Sequence, residues 1–184
     1  MQRRPHIGIT GSAGTGKTSL AADLSRILDL PVRREAMRDR LAAGFDPHAM
    51  PRDGHRRMIV GDADDLALDL ARGGGLITDR TPLDMAAFWL ANGFGLDDPA
   101  GTEALLARAV CAMADYSLVV LLPWGERPIA ADGVRSTNPW MQLHFQTVLE
   151  GLCRRYVAPG RLLVADGKAP PDRLAALVRD RVWG

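Results

Sequence analysis

Short apolar runs alternate along this chain with longer segments in which apolar residues return every three or four positions. The short runs are Ile7–Thr10, Pro31–Arg34, Leu76–Asp79, Leu118–Pro123 and Arg161–Ala165, and each predicts a strand. The longer segments predict helices: Ser19–Leu28, one or two over Glu35–Arg72, then Pro82–Asn92, Gly101–Ala114, Pro139–Tyr156 and Pro171–Val182. Strands alternating with helices imply βαβ units and a parallel sheet. Local punctuation agrees. Thr81-Pro82-Leu83-Asp84 is a helix start, with a capping threonine, proline at the first helical position and an acid three residues after the cap. Asn138-Pro139 opens the long sixth segment the same way. Gly73-Gly74-Gly75 breaks the chain ahead of the third strand. No internal repeat and no long Pro-, Gly- or Ser-rich linker divides the chain, so residues 1–184 read as one domain.

Composition narrows the class without choosing a function. Apolar residues make up 47% and charged residues 24%, an ordinary globular balance. No apolar run approaches the ~18 residues of a membrane span. The apolar stretch behind Arg3 and Arg4 ends at a glycine-rich turn, which is not the pattern of a signal peptide. Cys111 and Cys153 fall in helical segments with no metal-type spacing, so both are expected as buried free thiols in a reducing cytoplasm. His6, His48 and His55 likewise form no ligand pattern, and no structural zinc is expected.

One motif stands out. Gly11-Ser12-Ala13-Gly14-Thr15-Gly16-Lys17-Thr18 fits G-x-x-x-x-G-K-[ST] at every fixed position, and Ser19 continues into the helix that follows. A strand precedes the loop and a helix follows it, as phosphate binding requires. The glycines let successive N–H groups turn inward on a phosphate chain. The helix N-terminus presents its positive end to the same anion. Lys17 is placed for the β- and γ-phosphates, and the Thr18 hydroxyl for Mg²⁺. The loop therefore predicts a bound nucleoside triphosphate.

Ligands of an open parallel sheet sit outside the carboxyl ends of its strands. Glu35 follows the second strand, Asp79 and Arg80 the third, and Pro123 and Trp124 the fourth. Two acids thus flank the loop, one to hold Mg²⁺ and one to orient or deprotonate an acceptor hydroxyl. Asp79 ends an apolar strand and is the better metal candidate. Glu35 is either an acceptor contact or an ordinary first-turn glutamate. Arg80 either points to the acceptor or pairs with a helix acid at the surface. The polar segment 124–138 reads as a lid, in which Arg135, or more weakly Arg127, closes over the β,γ-phosphates; either is otherwise a surface arginine.

Charge is unevenly spread. Seven arginines lie between Arg33 and Arg57 against four acids, a local +3 in a chain of net charge +1. This is either a solvated basic face or an anion-binding acceptor side. Trp89 is expected in the core. Trp140 and His144, four apart, either pack at the lid hinge or stack on a base.

Two branches of phosphate-loop chemistry are excluded. No N-K-x-D occurs, as a GTPase would need, and the third strand ends in Asp-Arg where a motor ATPase carries Asp-Glu. The order of elements, with Glu35-Ala36-Met37-Arg38, Asp79-Arg80 and Asp132-Gly133-Val134-Arg135, resembles the nucleoside and nucleotide kinase group, notably nicotinamide riboside kinases and deoxynucleoside kinases. That resemblance implies a three-layer α/β phosphate-loop fold with a five-stranded parallel sheet of order 2-3-1-4-5, ATP and Mg²⁺ as donor, and a hydroxyl acceptor. It gives acceptor contact or base duty to Glu35 and Asp79, in either order, and acceptor binding to Arg38 and Arg80, with Arg34 beside them. The basic stretch departs from a neutral-nucleoside site and favours a phosphate-bearing acceptor, either a nucleotide or a hydroxymethylpyrimidine in DNA. A regulatory module that hydrolyses ATP without a small-molecule acceptor is the rival reading.

Overall fold

The protein, described by a computed structural model over residues 4–46, 49–125 and 138–183, is built on one five-stranded parallel sheet of order β2-β3-β1-β4-β5. The strands are β1 (His6–Thr10), β2 (Val32–Arg33), β3 (Leu76–Asp79), β4 (Tyr116–Leu121) and β5 (Leu162–Val164). The helices are α1 (Lys17–Leu28), α2 (Ala36–Ala42), α3 (Arg52–Ala71), α4 (Pro82–Ala91), α5 (Phe94–Asp97), α6 (Pro99–Met113), α7 (Pro139–Tyr156) and α8 (Pro171–Trp183). The predicted order and sheet topology are those observed.

Alternation along the strands makes two cores. Leu118 and Val120 of β4 join Ile7, Ile9, Leu24 and Val178 beneath α1 and α8. Val119 and Leu121 face the other way, and so does Tyr116 because the register shifts between it and Leu118; they join Leu83, Ala87, Leu149 and Cys153 under α3, α4, α6 and α7. The central strand β1 is buried throughout, with Ile7 and Ile9 in the core and the polar His6 and Thr10 buried at its ends. Among the described residues no helix is long and apolar enough to cross a membrane.

Several boundaries differ from expectation. Of the one or two helices expected after Glu35, two form, because the turn at Gly44 closes α2 and Pro51 caps α3. Strand β4 starts at Tyr116, whose buried hydroxyl lies 2.8 Å from Thr78 Oγ1. The short α5 was not expected; Phe94 anchors it, edge-on to Trp89 with ring centroids 5.2 Å apart. Cys153 is buried, but Cys111 is exposed, contrary to expectation, because it lies on the outer face of α6. Trp89 is in the core, its Nε1 donating to Thr102 Oγ1 at 2.7 Å. Trp140 and His144 are both exposed, and most of the lid they were expected to pack against lies outside the described residues. Residues 126–137, which hold most of the expected lid with Arg127 and Arg135, lie outside the described residues, as does the side chain of Arg38.

Candidate active site

The loop from Gly11 to Thr18 leaves β1 in the middle of the sheet and runs into α1 at Lys17. Gly16 holds φ at 94°, a conformation that a residue with a Cβ adopts only under strain. This turn lets α1 begin directly on the loop, so its free N–H groups face the anion position. Lys17 folds back over the loop, and its Nζ donates to Ser12 O at 2.7 Å. Burial, aided by the positive charge of Arg80, lowers the Lys17 ammonium to about 7, while the Glu35, Asp79 and Asp84 carboxylates oppose the shift.

Strand β3 delivers the acid the sequence places at its end. Thr18 Oγ1 donates to Asp79 Oδ2 at 2.6 Å. The other oxygen, Asp79 Oδ1, is buried and has no hydrogen-bond partner among the described residues. A buried carboxylate oxygen without a donor is costly unless something else meets it. One carboxylate and one hydroxyl in contact are hard-oxygen ligands of the kind Mg²⁺ takes, together with water and phosphate. The residues present therefore fit that ion.

Arg80 does pair with a helix acid, but it is buried rather than at the surface, and it lines a cavity together with Glu35. It is 5% exposed, and its backbone φ is 106°, a strained value for a residue with a side chain. Its Nε donates to Glu35 Oε1 at 2.9 Å, and its Nη1 donates to Gly11 O at 2.9 Å and Asp84 Oδ1 at 3.0 Å. The guanidinium lies over the rings of Phe88 and Phe145. Burial works against its charge, yet the Glu35 and Asp84 carboxylates outweigh that and hold its proton more firmly than usual. Asp84 was legible only as the cap of α4. It is fully buried, accepts from Thr81 N at 2.7 Å and Thr10 Oγ1 at 2.6 Å, and anchors Arg80 as well. The acid four residues after Arg80 was the available signal.

Glu35 caps α2, and with Arg80 it forms one wall of a cavity of about 170 Å³. Met37, Met58, Met85 and Phe88 supply the apolar lining. Asp79 is not among the lining residues; the acids that face this cavity are Glu35 and Asp62, and Asp62 is bridged to Arg40. A smaller hollow of about 40 Å³ lies on the β4–β5 side of the loop, between Thr15, Ser19, Pro123 and Asp166.

The basic stretch is largely paired. Arg33 Nε donates to Asp69 at 2.7 Å, Arg40 bridges to Asp62, and Arg52 and Arg56 both reach Asp97. The acids come from α3 and α5, outside the window in which the sequence excess was counted or at its far side in the fold. Arg34 is exposed beside Glu35.

A family model described as an AAA domain matches residues 6–166. No curated protein matches in sequence. Among solved structures, the chain is similar to deoxyadenosine kinase from M. mycoides, with a TM-score of 0.68 at 16% identity, covering 96% of this chain and 97% of that one. It is also similar to NadR in complex with NR, with a TM-score of 0.69 at 20% identity and 97% of this chain covered, although it spans only 52% of that protein. Shikimate kinase from Acinetobacter baumannii follows, with a TM-score of 0.62 at 15% identity, covering 96% of this chain and 92% of that one. At these identities the likeness is one of fold: a phosphate-loop kinase fold.

Proposed function

Because this chain belongs to the AAA domain family matched over residues 6–166, we propose that it is an ATP-dependent kinase that moves the γ-phosphate to an acceptor hydroxyl. The observation that carries the reading is the cavity walled by Glu35 and Arg80, opening beside a phosphate loop whose Thr18 already touches Asp79. The loop cradles the triphosphate, with Lys17 on the transferring group. Thr18 and Asp79 hold Mg²⁺, which neutralises charge on the phosphates when bound. Glu35 receives the acceptor hydroxyl and orients it for in-line attack, and Arg80 fixes the Glu35 carboxylate. The hollow on the β4–β5 side takes the donor base. Arg127, Arg135 and Arg38 keep the phosphate- and acceptor-binding roles expected from sequence. The cytoplasm supplies ATP and keeps both thiols reduced.

The acceptor is nucleoside- or nucleotide-like, with its ring among Met37, Met58, Met85 and Phe88. Around the cavity Arg33, Arg40 and Arg80 are met by Asp69, Asp62, Glu35 and Asp84. The buried part of the acceptor therefore meets no excess of positive charge from these three arginines, which face four acids. A phosphate on the acceptor would lie outward, where exposed Arg34 stands beside Glu35.

The test is transfer of label from γ-labelled ATP to a panel of nucleosides, nucleotides, and DNA with and without hydroxymethylated pyrimidines. Label on a small molecule that disappears in Lys17→Ala supports the reading. Label on DNA moves the acceptor to nucleic acid. Steady hydrolysis with no labelled acceptor overturns the kinase in favour of an ATP-hydrolysing switch.

A further inference from the structure

Two peptide planes at the entry of the phosphate loop are each held at both ends. In the Gly11–Ser12 peptide, the carbonyl accepts from Arg80 Nη1 at 2.9 Å, and the N–H donates to Gln146 Oε1 at 2.7 Å. In the Ser12–Ala13 peptide, the carbonyl accepts from Lys17 Nζ at 2.7 Å and Thr15 Oγ1 at 3.0 Å, and the N–H donates to Gln142 Oε1 at 3.0 Å. Both glutamines belong to α7, four residues apart and so on one face. They are 8% and 2% exposed.

Burying two primary amides on the inner face of a helix is costly unless each is used. Gln146 is used fully. Its Nε2 donates to Leu122 O at 3.0 Å and to Glu150 Oε1 at 2.8 Å, so its oxygen must face the loop. Leu122 ends the β4 side of the same crevice, and its own N–H donates to Thr10 O at 2.9 Å. Gln146 thus ties the loop to the sheet and to α7 through one planar group.

The Ser12–Ala13 plane bears directly on Lys17. A peptide plane rotates as a unit, so fixing its N–H also fixes the carbonyl that holds Nζ. Gln142 grips the N–H and Lys17 the carbonyl oxygen.

We infer that Gln142 and Gln146 are positioning residues for triphosphate binding. They fix the first two peptides of the loop and, through the Ser12 carbonyl, the approach of the Lys17 ammonium. The inference rests on the proposed function only in that the loop holds a triphosphate. Groups held in place before binding do not lose that freedom on binding, so the benefit appears as affinity.

The test replaces each glutamine with methionine, of similar length and without an amide. ATP with Mg²⁺, and inorganic triphosphate, are titrated into the unreacted protein by calorimetry without an acceptor, and thermal midpoints are read in parallel. Each folded variant should bind both ligands about tenfold more weakly, the loss expected for one hydrogen bond. Equal losses for the two ligands place the effect in the loop. Unchanged affinity in either folded variant, with or without a lower midpoint, overturns the assignment and makes the glutamines packing residues. If Gln146→Met does not fold, Gln142→Met decides. Wild-type protein that binds ATP without transferring its phosphate sinks the kinase and leaves this assignment standing. Wild-type protein that binds neither ligand sinks both.

Discussion

Thr18 Oγ1 and Asp79 Oδ2 lie 2.6 Å apart, joining the last residue of the phosphate loop to the last residue of β3. The pair is complete without help from any other side chain, and Asp79 Oδ1 is left for a further ligand. Asp79→Asn keeps size and one oxygen but removes the charge. We expect the thermal midpoint to stay near wild type and Mg²⁺-dependent transfer to fall by about 10²-fold or more. Chelation of Mg²⁺ in wild type should match that loss. Transfer by Asp79→Asn at the wild-type rate would remove Asp79 from the site.

Arg80 and Asp84 form a buried unit rather than a surface pair. Replacing Asp84 with Ala strips the cap from Thr81 and takes one carboxylate from a guanidinium that is 5% exposed. Breaking a buried ion pair from one side costs about 3–5 kcal/mol. Urea denaturation should report a loss in that range. A loss under about 1 kcal/mol would mean the network carries little stability.

Lys17 links nucleotide binding to pH. Burial and the charge of Arg80 bring its folded-state value down to about 7, below the 10.5 of the unfolded chain. Between these values the native protein sheds a proton that the unfolded chain retains. This group therefore makes stability rise with pH from about 7 to 10.5, and it is destabilising below that window. A bound triphosphate favours the ammonium, so binding at pH 8 should take up close to one proton, roughly, per nucleotide. Calorimetry in two buffers of different ionisation enthalpy measures the uptake directly. Identical apparent enthalpies in the two buffers would contradict it.

Gly8 sits where β1 passes closest to its neighbours. A Cβ there would stand 2.7 Å from Thr81 Cγ2 and 2.9 Å from Tyr116 Cε1. Both neighbours are buried, and the Tyr116 hydroxyl is engaged with Thr78. Gly8→Ala should cost about 1–3 kcal/mol through overpacking, read as a lower denaturation midpoint. An unchanged midpoint would show that this layer yields.

The two thiols should separate cleanly. Cys111 is exposed, whereas burial pushes the Cys153 thiol well above its usual range. Thiolate is the reactive form, so native protein should take one equivalent of an alkylating reagent and denatured protein two. Modification of Cys153 in the native state, located by peptide mass, would contradict its burial.

The local patterns of the sequence determined the sheet, the order of its elements and the phosphate loop. Strand and helix periodicity depend on residues a few positions apart, and so do the glycine spacing, Lys17 and Thr18. Asp79 was legible for the same reason: a charge at the end of an apolar strand is a local signal. The electrostatics of the acceptor side were not legible. Counted along the chain, Arg33 to Arg57 is basic; folded, Arg33, Arg40, Arg52 and Arg56 meet Asp69, Asp62 and Asp97. Ion pairing depends on which helices become neighbours, and chain order does not encode that. Asp84 could be seen as a helix cap but not as a partner of Arg80, and Gln142 and Gln146 looked like two ordinary polar positions on a helix. Only the tertiary structure turned their face toward Ser12 and Ala13, more than a hundred residues away, because α7 packs there to bury Phe145 and Leu149.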